Sequence, residues 1–141
     1  APPELKEIDS GNYEKAWGGI AGLQFSLPAF WTGAHERGFT INQLAELMCE
    51  NPSKLLGLDS TKGKIIPGYD ADLLIWSPEE KVLVSENSIQ HKHKATPYSS
   101  LDMVGTVKKT FVGGDLVFDN GEFISLSAGK AILSSNQLKS L

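Results

Sequence analysis

Two histidines stand one residue apart in His91-Lys92-His93. At i and i+2 they share a face of an extended strand, and a pair so placed can hold zinc. A zinc site needs three or four ligands, however, and no other histidine or cysteine is near in sequence. With lysines on either side, a solvated or hydrogen-bonded loop is the better reading. Asp70 and Asp72, in GYDADLLIW, are a second pair. Paired carboxylates can do acid and base work, but aspartate at a turn also caps its own backbone, and the structural reading is the stronger. His35, in AHERG, belongs at a helix end as a solvated residue. Cys49, in LAELMCE, is expected as a buried helix thiol, since no histidine lies near enough in sequence to activate it. There is no Ser-His-Asp arrangement, and GGIAG is not a phosphate loop because no Lys-Ser/Thr follows it.

The remaining feature is AWGGIAGLQF, residues 16–25, which places Gly18, Gly19 and Gly22 within five positions. Glycine in a helix interior costs roughly 0.5–1 kcal/mol relative to alanine, so this is not a helix built for packing alone. One reading is a tight turn with close backbone packing. The other is a loop whose bare N–H and C=O groups meet a ligand, and a cyclic amide would offer a matching donor and acceptor edge. The residues leave both open.

The 141 residues suffice for one domain with a core. Net charge is −4 and Arg37 is the single arginine, so no basic stripe exists to follow nucleic acid. No apolar run approaches the roughly 20 residues of a membrane span. A lone cysteine suits a reducing compartment without proving one, so the compartment is left unknown, with an intracellular setting, cytoplasmic or organellar, as the expectation. The closing LKSL is not in the peroxisomal order. The start, APPELKEIDSG, lacks an initiator methionine and reads as a loop, as if the chain began inside something larger.

Helices come first. Ile20, Leu23, Phe25, Leu27, Phe30 and Trp31 are apolar at loosely helical spacing, with Pro28 expected to kink or interrupt them and Gly38 to stop them. Thr40 and Gln43 form a capping box before a stripe of Leu44, Leu47 and Met48. Asn51-Pro52 restarts a short helix that Gly57 ends. Strands follow: Leu73–Trp76, then KVLV at 81–84, then a hairpin turning at Gly113-Gly114, with a further turn at Asn120-Gly121. Residues 126–141 read as a short helix or a frayed tail. An α part followed by a β part, with a boundary near Gly57, is not a repeating βαβ chain.

AWGGIAGLQFSLP, NPSKLLGL, KGKIIPGYDADLLIW, HKHKATPY and GTVKKTFVGGDLVFDNGEF together resemble the C-terminal part of the allantoinases. These belong to the cyclic-amidohydrolase branch of the amidohydrolase superfamily. The resemblance runs over about residues 1–124. NPSKLLGL and GYDADLLIW are general to the superfamily, whereas AWGGIAGLQ followed by HKHKATPY is more specific. ATPYSSLDMVG lacks a glycine that the resemblance calls for soon after TPY.

The resemblance implies an α/β fold: the terminal portion of a metal-dependent (β/α)8 barrel, then the C-terminal strands of a small β-sandwich. Residues 1–57 would be the loop after strand 8 and the last barrel helices, 58–124 the sandwich share, and 125–141 a tail. The implied chemistry is metal-assisted hydrolysis of the hydantoin ring of allantoin to allantoate, by binuclear zinc bridged by a carboxylated lysine. The metal ligands lie on earlier strands, and the proton-shuttling aspartate of strand 8 would fall just before Ala1. No catalytic or metal-binding residue is therefore expected in this chain, which alone should hold no zinc and open no ring. His91 and His93 do not match the family's metal pair.

What carries over is a substrate loop: Trp17, Gly18, Gly19 and Ile20, with backbone groups around Gly18 and Gly19 facing the ring. The implied partners are small-molecule allantoin and copies of the same protein in a homo-oligomer, typically a tetramer. Two alternatives remain. One is another cyclic amidase, a hydantoinase, dihydropyrimidinase or dihydroorotase, although a hydantoinase-like loop would carry asparagine where this chain has Gly18. The other is a non-catalytic interaction protein of the same fold. Either way, Ile20, Leu23, Leu27, Phe30 and Trp31 should keep an unburied face when the rest of the barrel is missing.

Overall fold

The computed structural model describes residues 2–124 and 129–132. Much of the sequence 125–141 expected as a tail lies outside the described residues.

Helix α1 spans Ser26–His35 and follows a 3-10 turn at Leu23–Phe25. Pro28 falls in its first turn, where a backbone N–H has no intrahelical partner, so it does not interrupt the helix as expected. Pro28, Trp31 and Ala34 form the buried face. The end is a Schellman motif: Gly38 takes φ +80°, its N–H donates to His35 O at 2.9 Å, and the Phe39 N–H donates to Ala34 O at 3.1 Å.

The capping box then forms as the sequence predicts. The Thr40 N–H donates to Gln43 Oε1 at 2.9 Å, and the Gln43 N–H donates to Thr40 Oγ1 at 3.3 Å. It opens α2, Ile41–Ala45, which runs through a π-helical turn at Glu46–Glu50 into α3, Asn51–Leu55. The expected restart at Pro52 is thus part of one helical run. A π turn holds more residues than an α turn and rotates the stripe that follows it. Leu44 is buried, Leu47 is exposed, and Cys49 is exposed rather than buried. Gly57 closes the run with a second Schellman motif, φ +68°, with Leu58 N–H on Ser53 O at 2.8 Å.

Strand β1 runs Leu73–Val82 as one strand, where the sequence suggested two, Leu73–Trp76 and 81–84, and it ends before Leu83 and Val84. Pro78 fits because β1 is at the edge of the sheet, where an N–H can be spared. The sheet order is β1-β2-β3-β4, with β2 at Met103–Val112, β3 at Asp115–Asp119 and β4 at Glu122–Phe123. β2 and β3 pair antiparallel, Val112 opposite Asp115, around Gly113 and Gly114 at φ +59° and +93°. Those angles give the primed turn that matches strand twist. β3 and β4 also pair antiparallel, turning at Asn120-Gly121 as expected.

The chain packs as two compact units, Ala1–Ala45 with Trp76–Thr106, and Glu46–Ile75 with Val107–Leu141. In the first, Phe25, Ile89 and Met103 are buried together, with Ala29, Val82, Val84 and Tyr98 around them. Trp31 packs edge-on against Trp76 at 5.4 Å and donates its indole N–H to Pro78 O at 2.9 Å. Gly105, at φ +110°, leaves room for both rings, since a Cβ there would lie 3.2 Å from Trp76. In the second unit, Phe118 and Phe123 meet edge-on across the β3–β4 hairpin at 5.5 Å. Of the apolar residues expected to keep a bare face, Ile20, Leu23 and Phe30 are exposed, Leu27 is half-buried and Trp31 is buried.

Candidate functional site: the glycine loop

The loop is held at its first end by a lysine. Lys6 Nζ donates to three successive carbonyls, Trp17 O at 2.9 Å, Gly18 O at 3.1 Å and Gly19 O at 2.5 Å. The Trp17 N–H donates to Leu5 O at 2.8 Å beside it. No peptide bond here is cis, and a trans peptide points its N–H opposite to its C=O. The N–H groups of Gly18, Gly19 and Ile20 therefore face away from Lys6. None of the three donates to a described residue. A Cβ at Gly18 or Gly19 would meet nothing within 4 Å, and Gly19 takes φ +77°. The side chains of Trp17 and Ile20 flank this bare backbone and are exposed.

At its second end the loop is packed hard. Thr96 Oγ1 donates to Ala21 O at 2.8 Å. Gln24 is bound twice, its Nε2 donating to Ser88 O at 2.7 Å and its Oε1 accepting from the Gln90 N–H at 2.9 Å. A Cβ on Gly22 would lie 3.1 Å from the Tyr98 ring, and Phe25 meets the same ring edge-on at 6.1 Å. The three glycines thus divide between the two readings. Gly22 serves close packing, while Gly18 and Gly19 present open backbone.

Within the segment HKHKATPY, Thr96 and Tyr98 supply part of that packing. His91 Nε2 is buried without a hydrogen-bond partner, His93 is half-buried, and Lys94 Nζ donates to Ile89 O. Among the described residues no three His, Cys, Asp or Glu side chains come together to hold a metal ion. An orphaned imidazole nitrogen is one ligand, and a binuclear centre requires several. The residues present do not fit such a centre, and no metal chemistry is assigned to them.

Asp70 and Asp72 both bind Lys62, the former at 2.9 Å. Asp72 Oδ1 also accepts the Gly113 N–H at 2.8 Å, and Gly114 N–H donates to Ala71 O at 3.0 Å. Asp72 therefore ties the loop before β1 to the β2–β3 turn, Asp70 braces the shared Lys62, and neither caps its own backbone as expected. Lys62 and the Gly113 N–H hold the Asp72 carboxyl below its ordinary range, and Asp72 then Asp70 push the Lys62 ammonium up. Cys49 is no activated nucleophile, since partial desolvation and then the Glu50 charge push its thiol up. His35 is exposed at the end of α1, its ring 4.9 Å from Trp31. A surface cleft of about 520 Å³ lies there, lined by Trp31, His35, Phe39, Pro78 and Glu79 among others, and includes no residue of the glycine loop.

Sequence reasoning missed Lys6. A single lysine in a polar opening segment carries no periodicity or spacing that links it to carbonyls 11–13 positions away.

Residues 9–117 match the model of the Amidohydrolase family. The chain is 40% identical over 134 residues to a probable allantoinase of Oryza sativa, covering 94% of this chain and 26% of that protein. It is 42% identical over 135 residues to an allantoinase of Arabidopsis thaliana, again covering 94% and 26%. Its fold is similar to that of an L-hydantoinase (dihydropyrimidinase) from Arthrobacter aurescens, with a TM-score of 0.78 and 34% identity over 86% of this chain and 27% of that one. The chain thus spans about a quarter of the length of the relatives it matches. With the family model covering most of its residues, the chain belongs to the amidohydrolase family.

Proposed function

We propose that the chain is the C-terminal segment of an allantoinase-type cyclic amide hydrolase, which opens the hydantoin ring of allantoin to allantoate. In this reading residues 1–57 are the loop after barrel strand 8 and the last barrel helices. Residues 58–124 are the C-terminal share of a small β-sandwich, and 125–141 are a tail. The whole enzyme works as a homo-oligomer with binuclear zinc and a carboxylated lysine, whose ligands lie outside this chain. Trp17, Gly18, Gly19 and Ile20 line the substrate pocket at the C-terminal face of the barrel, where such folds place their sites.

The observation that carries the reading is the bare backbone of that loop. The N–H groups of Gly18, Gly19 and Ile20 are free among the described residues, and a hydantoin ring offers carbonyl oxygens to accept them. Trp17 and Ile20 provide apolar edges that exclude water from the bound ring. Similarity to allantoinases over 94% of the chain supports the ureide as substrate.

The test is a chimera in which this chain replaces the matching segment of the Arabidopsis relative. It should open allantoin, while the 141 residues alone should not. The 34% identity to the Arthrobacter L-hydantoinase favours a second reading, a hydantoinase. Faster turnover of a 5-monosubstituted hydantoin than of allantoin by the same chimera would select it.

A further inference from the structure

We infer that Lys6 is a positioning residue that makes the glycine loop a reader of carbonyl oxygens alone. The inference rests on the substrate-loop reading above and deepens it. A cyclic amide presents both N–H donors and C=O acceptors, and unconstrained glycine backbone could answer either. Here the carbonyls of Trp17, Gly18 and Gly19 are all taken by one ammonium at 2.5–3.1 Å. Glycine alone would leave these peptides free to flip, because it populates positive and negative φ about equally. A flip of any one would turn a carbonyl dipole toward the ligand and an N–H toward a cation. Lys6 opposes that flip at three consecutive peptides, through charge-assisted hydrogen bonds that are stronger than neutral ones. Through these three peptides the loop then meets a ring with donors only.

Two features fit this role. The loop is fixed at its far end by Thr96 and Tyr98, whereas a Cβ on Gly18 or Gly19 would meet nothing within 4 Å. The Lys6 contacts and the Trp17–Leu5 hydrogen bond are what hold the near end. Lys6 is placed to touch backbone and not substrate, so it acts through the amides.

The experiment uses the chimera with Lys6→Met, Lys6→Gln and Lys6→Arg, and Lys15→Met as a control from the same loop. Allantoin and a thiocarbonyl hydantoin, whose sulfur is a poorer acceptor, are compared. Neutral substitution should raise KM for allantoin at least tenfold with kcat within threefold, and Arg should recover most of the loss. The penalty for sulfur should shrink in Lys6→Met, because fewer donors are aimed at the ring. Lys15→Met should match the parent. An active parent whose Lys6 variants keep its KM, or lose kcat alone, overturns the proposal and leaves the functional reading standing. Failure of both neutral variants to assemble also overturns it, by making Lys6 a folding determinant. A parent chimera that assembles with its metal and opens no cyclic amide defeats the functional reading, and this proposal with it.

Discussion

The Thr96 hydroxyl donates to the Ala21 carbonyl at 2.8 Å across 75 positions of sequence. With Tyr98 against Gly22, it joins the two motifs that most specifically marked the chain, AWGGIAGLQ and HKHKATPY. They occur together because one is the seat of the other.

Gly22→Ala should therefore weaken the fold. Gly22 has φ −121°, so its backbone suits any residue, and the cost is the methyl group 3.1 Å from Tyr98 Cε2 and 3.2 Å from its Oη. A loss of about 1–2 kcal/mol is expected from such overpacking. In a double-mutant cycle with Tyr98→Ala the two changes should couple by more than about 0.5 kcal/mol. Additive losses in urea titration would contradict the contact.

Gly18→Ala should behave differently. Its Cβ meets nothing within 4 Å and its φ is not in the left-handed region. Thermal melting should change by no more than about 0.5 kcal/mol, as at other open surface sites. A rise in KM of the chimera with stability unchanged would then report on the ligand. A melt that falls as far as that of Gly22→Ala would contradict the division of roles between these glycines.

Ser100→Gly should stabilise. Ser100 takes φ +66°, in the turn after TPY where the family resemblance calls for glycine. A side chain in that region costs roughly 1–2 kcal/mol, partly offset by glycine's greater entropy when unfolded. The net gain should be about 0.5–1 kcal/mol, read as a rise in Tm. A lower Tm would show that the hydroxyl does more than the backbone strain costs.

The Lys62 clamp sets a pH dependence. Asp72 is held below its ordinary range, so its contribution is complete above about pH 4 and is lost as pH falls through its lowered folded value. Lys62 is pushed up, so its share is present below about pH 10.4 and is lost as pH rises through its higher folded value. The Tm difference between the parent and Asp72→Asn should be flat from pH 5 to 9, corresponding to about 1 kcal/mol or less for such exposed groups, and close in acid. A difference that widens below pH 4 would contradict the pairing.

Caps and turns were legible in the sequence because their chemistry is local. Thr40 with Gln43, Gly38, Gly57, Gly113-Gly114 and Asn120-Gly121 each stand where the residues place them. What was not legible depends on neighbours distant in sequence. Pro78 stays inside β1 because that strand lies at an edge and Trp31 binds the Pro78 carbonyl. Cys49 is exposed because a π turn shifts the stripe, and no propensity announces one. The glycine cluster stood out by composition and the resemblance singled out Trp17, Gly18, Gly19 and Ile20 within it, yet the lysine that occupies three of their carbonyls did not stand out. One residue takes the carbonyls of Trp17, Gly18 and Gly19 together and leaves the N–H groups that follow them free among the described residues.

The most direct measurement is allantoin hydrolysis by the purified chimera carrying this chain in place of the matching segment of the Arabidopsis relative. The assembled, metal-bearing chimera should open allantoin to allantoate and should lose substrate affinity on Lys6→Met. A chimera that assembles with its full metal content and leaves allantoin intact would contradict it.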